Sequence, residues 1–155
     1  MKLSYLVLVV ILFILLGVFG YVLYDWFKTR EDLRGVEVYI DRIRVITSSS
    51  LNIVLGLELR LVNKGVNLAT IDRVLYEIYI NNVSIGVGNY SSRIQLLPGE
   101  TISITSQINL HRASIGEALS SILTSGRFSA KLVIYLYRDT LLGSVRVTRE
   151  IMYQA

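Results

Sequence analysis

From Leu3 to Tyr24 the chain carries no charged residue. Coiled as a helix at ~1.5 Å per residue, this run is roughly 33 Å long, enough to cross the ~30 Å hydrocarbon layer of a bilayer. It is built mostly of Leu, Val, Ile and Phe, with Gly17 and Gly20 inside it. Tyr21, Tyr24, Trp26 and Phe27 crowd its C-terminal end, where aromatic rings favour the headgroup level. Lys28 and Arg30 follow. A cleaved signal peptide has an apolar core of only ~7–15 residues and ends in a small-x-small site. This run is longer, and no Ala-x-Ala-like site follows it. A pilin-like leader places a basic and a small residue before the greasy run, whereas only Lys2 precedes Leu3. The reading is a retained single-pass anchor, with residues 1–28 as span and flank, 29–35 as linker, and 36–155 as a second, different kind of structure.

Sidedness is written in weaker marks. Lys2 stands on one side of the run, and Lys28, Arg30 and Arg34 on the other, mixed with Asp25, Glu31 and Asp32. Counting only Lys and Arg tilts the following domain towards the cytoplasm. Two Asn-x-Ser sequons, at Asn82 and Asn89, suit an external domain. N-terminal anchors often carry their domains outward, so the expectation is a cell-membrane protein with an extracytoplasmic domain.

Beyond Gly35 the pattern acquires a period of two. Leu51, Ile53, Leu55, Leu57, Leu59 and Leu61 fall on one face of a strand, with Glu58 and Arg60 on the other. Val36, Val38 and Ile40 alternate likewise. The phase slips at Asp41–Arg42, as at a bulge, and resumes with Ile43 and Val45. Val74, Tyr76, Ile78 and Ile80 form another inward set, as do Ile102, Ile104, Ile108 and Leu110. Leu132, Ile134 and Leu136 follow, then Val145 and Val147, and Val83–Val87 adds a short strand. Asn81–Asn82 suits a tight hairpin and Pro98–Gly99 a type II turn. Lys64–Gly65 and Arg138–Asp139 mark further reversals. Seven short strands at this spacing predict an all-β fold, a seven-stranded immunoglobulin-like β-sandwich. One helix interrupts it. Ser114 is its expected N-cap in a capping box with Glu117. Ile115, Leu119, Ile122 and Leu123 form its apolar face, laid over an open end of the sandwich, and Gly126 ends it.

Chemistry is sparse. The chain has no cysteine and one histidine, His111. Thiolate chemistry is excluded, and a lone His is a poor metal ligand. No Gly-x-Ser-x-Gly turn is present to build a nucleophile. Glu58, Asp72 and Glu77 read as surface ion-pair partners of Arg60 or Arg73. Gly86-Val87-Gly88 lacks the following helix of a phosphate loop and reads instead as a strand approaching another backbone. No catalytic, cofactor-binding or metal site is expected, hence no enzyme. Beyond Gly35, twelve Lys and Arg face nine Asp and Glu. They intersperse without a basic stripe, so no nucleic-acid partner is expected. Tyr79, Tyr135 and Tyr137 point away from the core and mark a candidate contact surface. Arg outnumbers Lys and Gln is scarce, which hints at a heat-adapted source.

The stretch from Val36 to about Leu110 resembles the WHy domain (water stress and hypersensitive response) of group 2 late embryogenesis abundant proteins. The likeness is carried by the alternating strand ending in Val62-Asn63 and by Ala69-Thr70-Ile71-Asp72-Arg73-Val74. Tyr76-Glu77-Ile78-Tyr79-Ile80-Asn81, Ile85-Gly86-Val87-Gly88 and the turn before Glu100 extend it. The family typically has Asn-Pro-Asn where this chain has Asn63-Lys64-Gly65. The resemblance implies a seven-stranded sandwich with one helix and no catalytic residues. It also implies a link to desiccation or stress tolerance, and some plant relatives carry one N-terminal span. The first functional expectation is thus a non-enzymatic, membrane-anchored structural or interaction module, stress-protective by resemblance. Its partners would be the bilayer, through the helix, and a protein or lipid, through the β domain. A lipid-binding or lipid-transfer-related module and a pilin-like or envelope-assembly subunit, packed through Gly17 and Gly20, are the alternatives.

Overall fold

The computed structural model of the chain describes residues 2–48, 53–127 and 129–154. Helix α1 (Lys2–Arg34) is followed by strands β1 (Val36–Ser48), β2 (Ile53–Asn63), β3 (Ala69–Ile71), β4 (Arg73–Ile80), β5 (Val83–Tyr90), β6 (Ile94–Leu96) and β7 (Thr101–Leu110). Helix α2 (Arg112–Ser125) and strands β8 (Ser129–Thr140) and β9 (Gly143–Gln154) complete it. The seven strands expected from alternation are the seven members of one antiparallel sheet, in the order β1-β2-β7-β5-β4-β8-β9. β3 and β6 pair only with each other. At three residues each they are too short to display a period.

The sheet is curled. β2 and β7 pair along their length, but β5 and β7 meet only over Gly86↔Leu110, Val87↔Asn109 and Gly88↔Ile108. Across this narrow seam the two halves share one core. Leu57, Leu59, Leu61, Ile104 and Ile108 on one side meet Val74, Tyr76, Ile134, Leu136 and Val147 on the other. The glycines of β5 make the seam. A Cβ on Gly86 would stand 2.7 Å from Leu110 Cδ2 and 2.9 Å from the Asn109 carbonyl oxygen. On Gly88 it would stand 2.2 Å from the Tyr76 ring and 2.6 Å from the Gln107 carbonyl oxygen.

Local geometry follows the turn chemistry in most places. Asp41 is the extra residue of a bulge in β1. Asn81 and Asn82 take φ of 46° and 67°, the pair a tight hairpin needs. Gly99 has φ 78° in a turn closed by Glu100 N–H on the Leu97 carbonyl at 2.9 Å. The reversal expected at Arg138–Asp139 lies elsewhere. Both residues are still paired in β8, and the chain turns at Leu141–Leu142, where Gly143 supplies φ 108°. Two leucines are an unusual turn tip, so the polar pair before them drew the sequence reading. Ile43 lies opposite buried Leu57 as its phase requires but is 51% exposed among the described residues. Ile102 is likewise part-exposed, while Leu51 and the side chain of Val45 fall outside the described residues.

Helix α2 starts two residues before the expected cap. Ile115 N–H bonds to the His111 carbonyl, so His111 is the N-cap and Ser114 lies in the first turn. The helix packs on β5 through Ala118, which is buried, flanked by half-buried Ile115 and Ser121. Leu123, roughly 140° around a 3.6-residue helix from Ala118, is 86% exposed rather than part of that face. The side chains of Leu119 and Ile122 fall outside the described residues. Gly126, at φ 64°, ends the helix as expected.

The stretch expected to be a linker is helical. α1 runs unbroken to Arg34, Thr29, Asp32 and Leu33 are buried, and Trp26 packs against the core. Burying a leucine fully is worth about 1.5–3 kcal/mol, so Leu33 helps tie the helix end to the fold. By contrast, every side chain from Val7 to Tyr21 is exposed.

Gly88→Ala should destabilise the fold by about 3 kcal/mol, since overpacking a closed seam forces backbone shifts. Gly116→Ala, on an exposed turn of α2 with open space around it, should stabilise it by roughly 0.5–1 kcal/mol. Denaturant unfolding of the detergent-extracted chain, followed by circular dichroism, measures both.

Candidate interaction surface

The residues with chemical reach do not converge on one centre. His111 is exposed and serves as a cap. Glu58 pairs with Arg42 and Arg44 at 3.8 and 3.9 Å, and Arg60 with Asp41 at 3.2 Å. Asp72 pairs with Arg93, and Arg73 with Asp139 at 3.6 Å. Glu77 accepts a hydrogen bond from Ser84 Oγ at 2.6 Å. Glu58, Asp72 and Glu77 are therefore ion-paired or hydrogen-bonded, but through partners on neighbouring strands and loops rather than through Arg60 or Arg73. Among the described residues, no group of three or more His, Cys, Asp or Glu side chains is placed to hold a metal.

Asp72 fastens the corner between β3 and β4 to the end of β8. Its carboxylate accepts the Asp139 N–H at 2.9 Å and Arg93 Nε at 2.6 Å. Burial disfavours its charge, but the Asp139 N–H and then Arg93 outweigh that cost, and the carboxyl titrates below its ordinary value. Its stabilisation is therefore complete above the unfolded carboxylate range and fades as pH falls through the lowered value.

The outer face of β4, β8 and β9 carries tyrosines under cations. Arg73 lies 4.9 Å from the Tyr137 ring centre, Arg146 5.4 Å from Tyr135, and Lys131 4.9 Å from Tyr79. Of the three tyrosines singled out by sequence, Tyr135 and Tyr137 stand 6.5 Å apart and line one groove. Tyr79 lies outside it, its hydroxyl pushed up to about 12 by its hydrogen bond to Glu77 and by burial. The groove, about 560 Å³, continues over Glu77, Asn89, Gln107 and Asn109 to Arg146. Its floor is the seam, where buried Tyr76 donates its hydroxyl proton to Ser106 Oγ and burial pushes that phenol up to about 12. Two aromatic rings, three amides, one acid and one guanidinium can stack and hydrogen-bond. Sequence reasoning found the tyrosines by phase but missed the amides, because only the curl brings β5 and β7 beside them.

A second opening lies at the far end of the core, between Ile40 and Ile43 of β1 and Ile78, Leu132 and Ile151 opposite. It is apolar and measures about 140 Å³. That is the scale of a benzene-sized cavity, below the ~300 Å³ at which ligand pockets begin.

No family model matches the chain, and no curated protein matches it. Solved structures do. A crystal structure of a protein from Archaeoglobus fulgidus superimposes with a TM-score of 0.51 at 12% identity, covering 76% of this chain and 98% of that one. The solution structure of a protein from Arabidopsis thaliana gives 0.56 at 9% identity, over 77% and 81%. The solution structure of a protein described as late embryogenesis abundant gives 0.40 at 14% identity, over 90% and 84%; at that score it carries no argument. These likenesses concern the fold: a curled, all-β antiparallel domain.

Asp72→Asn should cost about 1–3 kcal/mol at neutral pH, the scale of lost charge-assisted hydrogen bonds. The gap to the unaltered chain should narrow as pH drops below about 4, the unfolded Asp value. Thermal melts across a pH series read it directly.

Proposed function

We propose that this chain is a non-enzymatic interaction module held on a cell membrane by α1, with the β domain on the extracytoplasmic side. One observation carries the reading. A single unbroken helix is exposed and apolar from Val7 to Tyr21, yet buried in the β core at Thr29 and Leu33. An exposed greasy helix of that length needs a bilayer or an equivalent apolar partner. Its buried end argues for retention rather than cleavage, since a cut near Phe27 would strip Trp26 from the core.

The interaction surface of this reading is the Tyr135–Tyr137 groove, which sets aromatic rings beside amides, an acid and a guanidinium. A protein segment or other flexible polar chain suits its rings and amides. The 140 Å³ apolar opening is too small for an acyl chain, so its size speaks against the lipid-carrier alternative. A stress-protective role rests on the WHy resemblance of Val36 to Leu110, and the fold is compatible with it.

The full-length chain should remain in the membrane pellet after alkaline carbonate washing. Replacing Ile11, Ile14 and Leu15 together with Asp should release it, since each charge at the bilayer centre costs about 2.5–3.5 kcal/mol. Recovery of the unaltered chain in the wash would refute the anchor.

A further inference from the structure

The direction of the strands sorts the turns between two poles. β1 starts where α1 ends, and Val36 pairs with Asn63. Following the antiparallel pairings round the sheet puts the ends of β2, β5 and β8 at this same anchor pole, with the Asn81–Asn82 turn at the opposite pole. The β8–β9 hairpin extends past the level at which Val36 starts β1. Arg149 fixes its level by donating to the carbonyls of Val36, at 3.0 Å, and Arg34. From Arg149 down to Leu142 is seven residues, ~23 Å of strand at ~3.3 Å each. The same length measured back from Arg34 along α1, at ~1.5 Å per residue, ends close to Phe19. The half-buried Val22 and Leu23 of α1 and its contacts with β8 and β9 fit a helix running beside this hairpin. The turn residues Leu141, 84% exposed, and Leu142, 49% exposed, thus stand level with the aromatic end of the apolar run.

About three to four helical turns above that level, at ~1.5 Å per residue from Phe19 to Arg30 and Arg34, a cleft of about 400 Å³ opens between α1 and β9. It is lined by Arg30, Arg34, Arg146 and Arg149 with Val147 and Thr148, and by no carboxylate. Arg149 is committed to backbone carbonyls. Arg30 lies over the Trp26 ring at 5.9 Å, and Arg146 over Tyr135. A guanidinium whose carbon sits over a ring still has N–H groups to offer a pair of phosphate oxygens.

We propose that the anchor pole is a second membrane contact: Leu141 and Leu142 insert beside α1 at the bilayer interface, and Arg30, Arg34 and Arg146 bind the phosphates of anionic lipid headgroups. The occupant is the lipid surface itself, because the apolar tip lies on the span side of the cations, in the order of acyl chain and headgroup. This inference rests on α1 spanning the membrane, and the test separates the two claims.

The chain has no cysteine, so single cysteines can carry an environment-sensitive fluorophore. Full-length Ile14→Cys, Leu141→Cys and Arg127→Cys chains are labelled and reconstituted into phosphatidylcholine vesicles with and without phosphatidylglycerol. The Ile14 label reports the span, the Leu141 label the hairpin tip, and the Arg127 label the opposite pole. The expected result is lipid-like emission at Ile14 and Leu141, with quenching by spin-labelled lipid several-fold above that at Arg127. The blue shift at Leu141 should deepen with phosphatidylglycerol, and Arg30→Gln with Arg146→Gln should remove that increment. Emission at Leu141 as aqueous as at Arg127, with Ile14 still in lipid, overturns the second contact and leaves the anchor standing. Aqueous emission at Ile14 overturns both. A phosphatidylglycerol response that survives the double substitution overturns the role given to the arginines.

Discussion

The amide of Asn63 holds the anchor pole together. It is fully buried at the end of β2, and a buried amide is tolerated only when its donors and acceptor are paired. Its side-chain nitrogen donates to the carbonyls of Asn67 and Leu96, both at 2.8 Å, and its side-chain oxygen accepts from Gly65 N–H at 2.9 Å. Its backbone bonds to Glu100 and Gly99 on the facing turn. One residue thus joins β2, the 64–67 loop, β6 and the turn before β7. The loop it shapes reaches the helix. Asn67 donates to Asp32 at 3.1 Å, and Lys64 N–H to the Gly35 carbonyl at 2.8 Å. Gly35 lies so close to Gly65 that a Cβ there would stand 2.8 Å from the Gly65 Cα. Through this chain of contacts the helix end and the sheet become one body.

That network explains what was legible beforehand. Strand phase was plain because each inward set faces a core and each outward set faces water, and period two records that contrast directly. The turns with special backbone needs, Asn81–Asn82 and Pro98–Gly99, announced themselves through residue type. The retained Asn in Val62-Asn63 was visible as part of a family likeness, but its role as a four-way junction was not, since its partners lie as far along the chain as Leu96, Gly99 and Glu100. Only the folded chain brings them together.

The misjudged places share one cause. The segment 29–35 is polar and charged in composition, so it read as a linker, although its buried members lie along one side of a continuing helix. Leu123 looked like core because it is leucine, yet α2 is placed by small Ala118, which allows close approach to β5. The turn after β8 was set at its polar pair instead of at Leu141–Leu142. In each case tertiary packing overrode what composition suggested. The groove was half visible. Tyr135 and Tyr137 follow from alternation, whereas Asn89, Gln107 and Asn109 join them only because glycines at 86 and 88 let two strands cross closely.

The continuity of α1 into the core has a mechanical consequence. Seven flexible residues would let a domain wander over roughly 15 Å and turn freely above the bilayer. A helix whose last turns are locked inside the domain allows neither, so tilt or spin of the buried segment swings the whole β body through the same angle. The tyrosine groove is then aimed like a lamp on a fixed bracket, at a set height and bearing. Whatever docks there must come sideways, from neighbours standing in the same sheet of lipid.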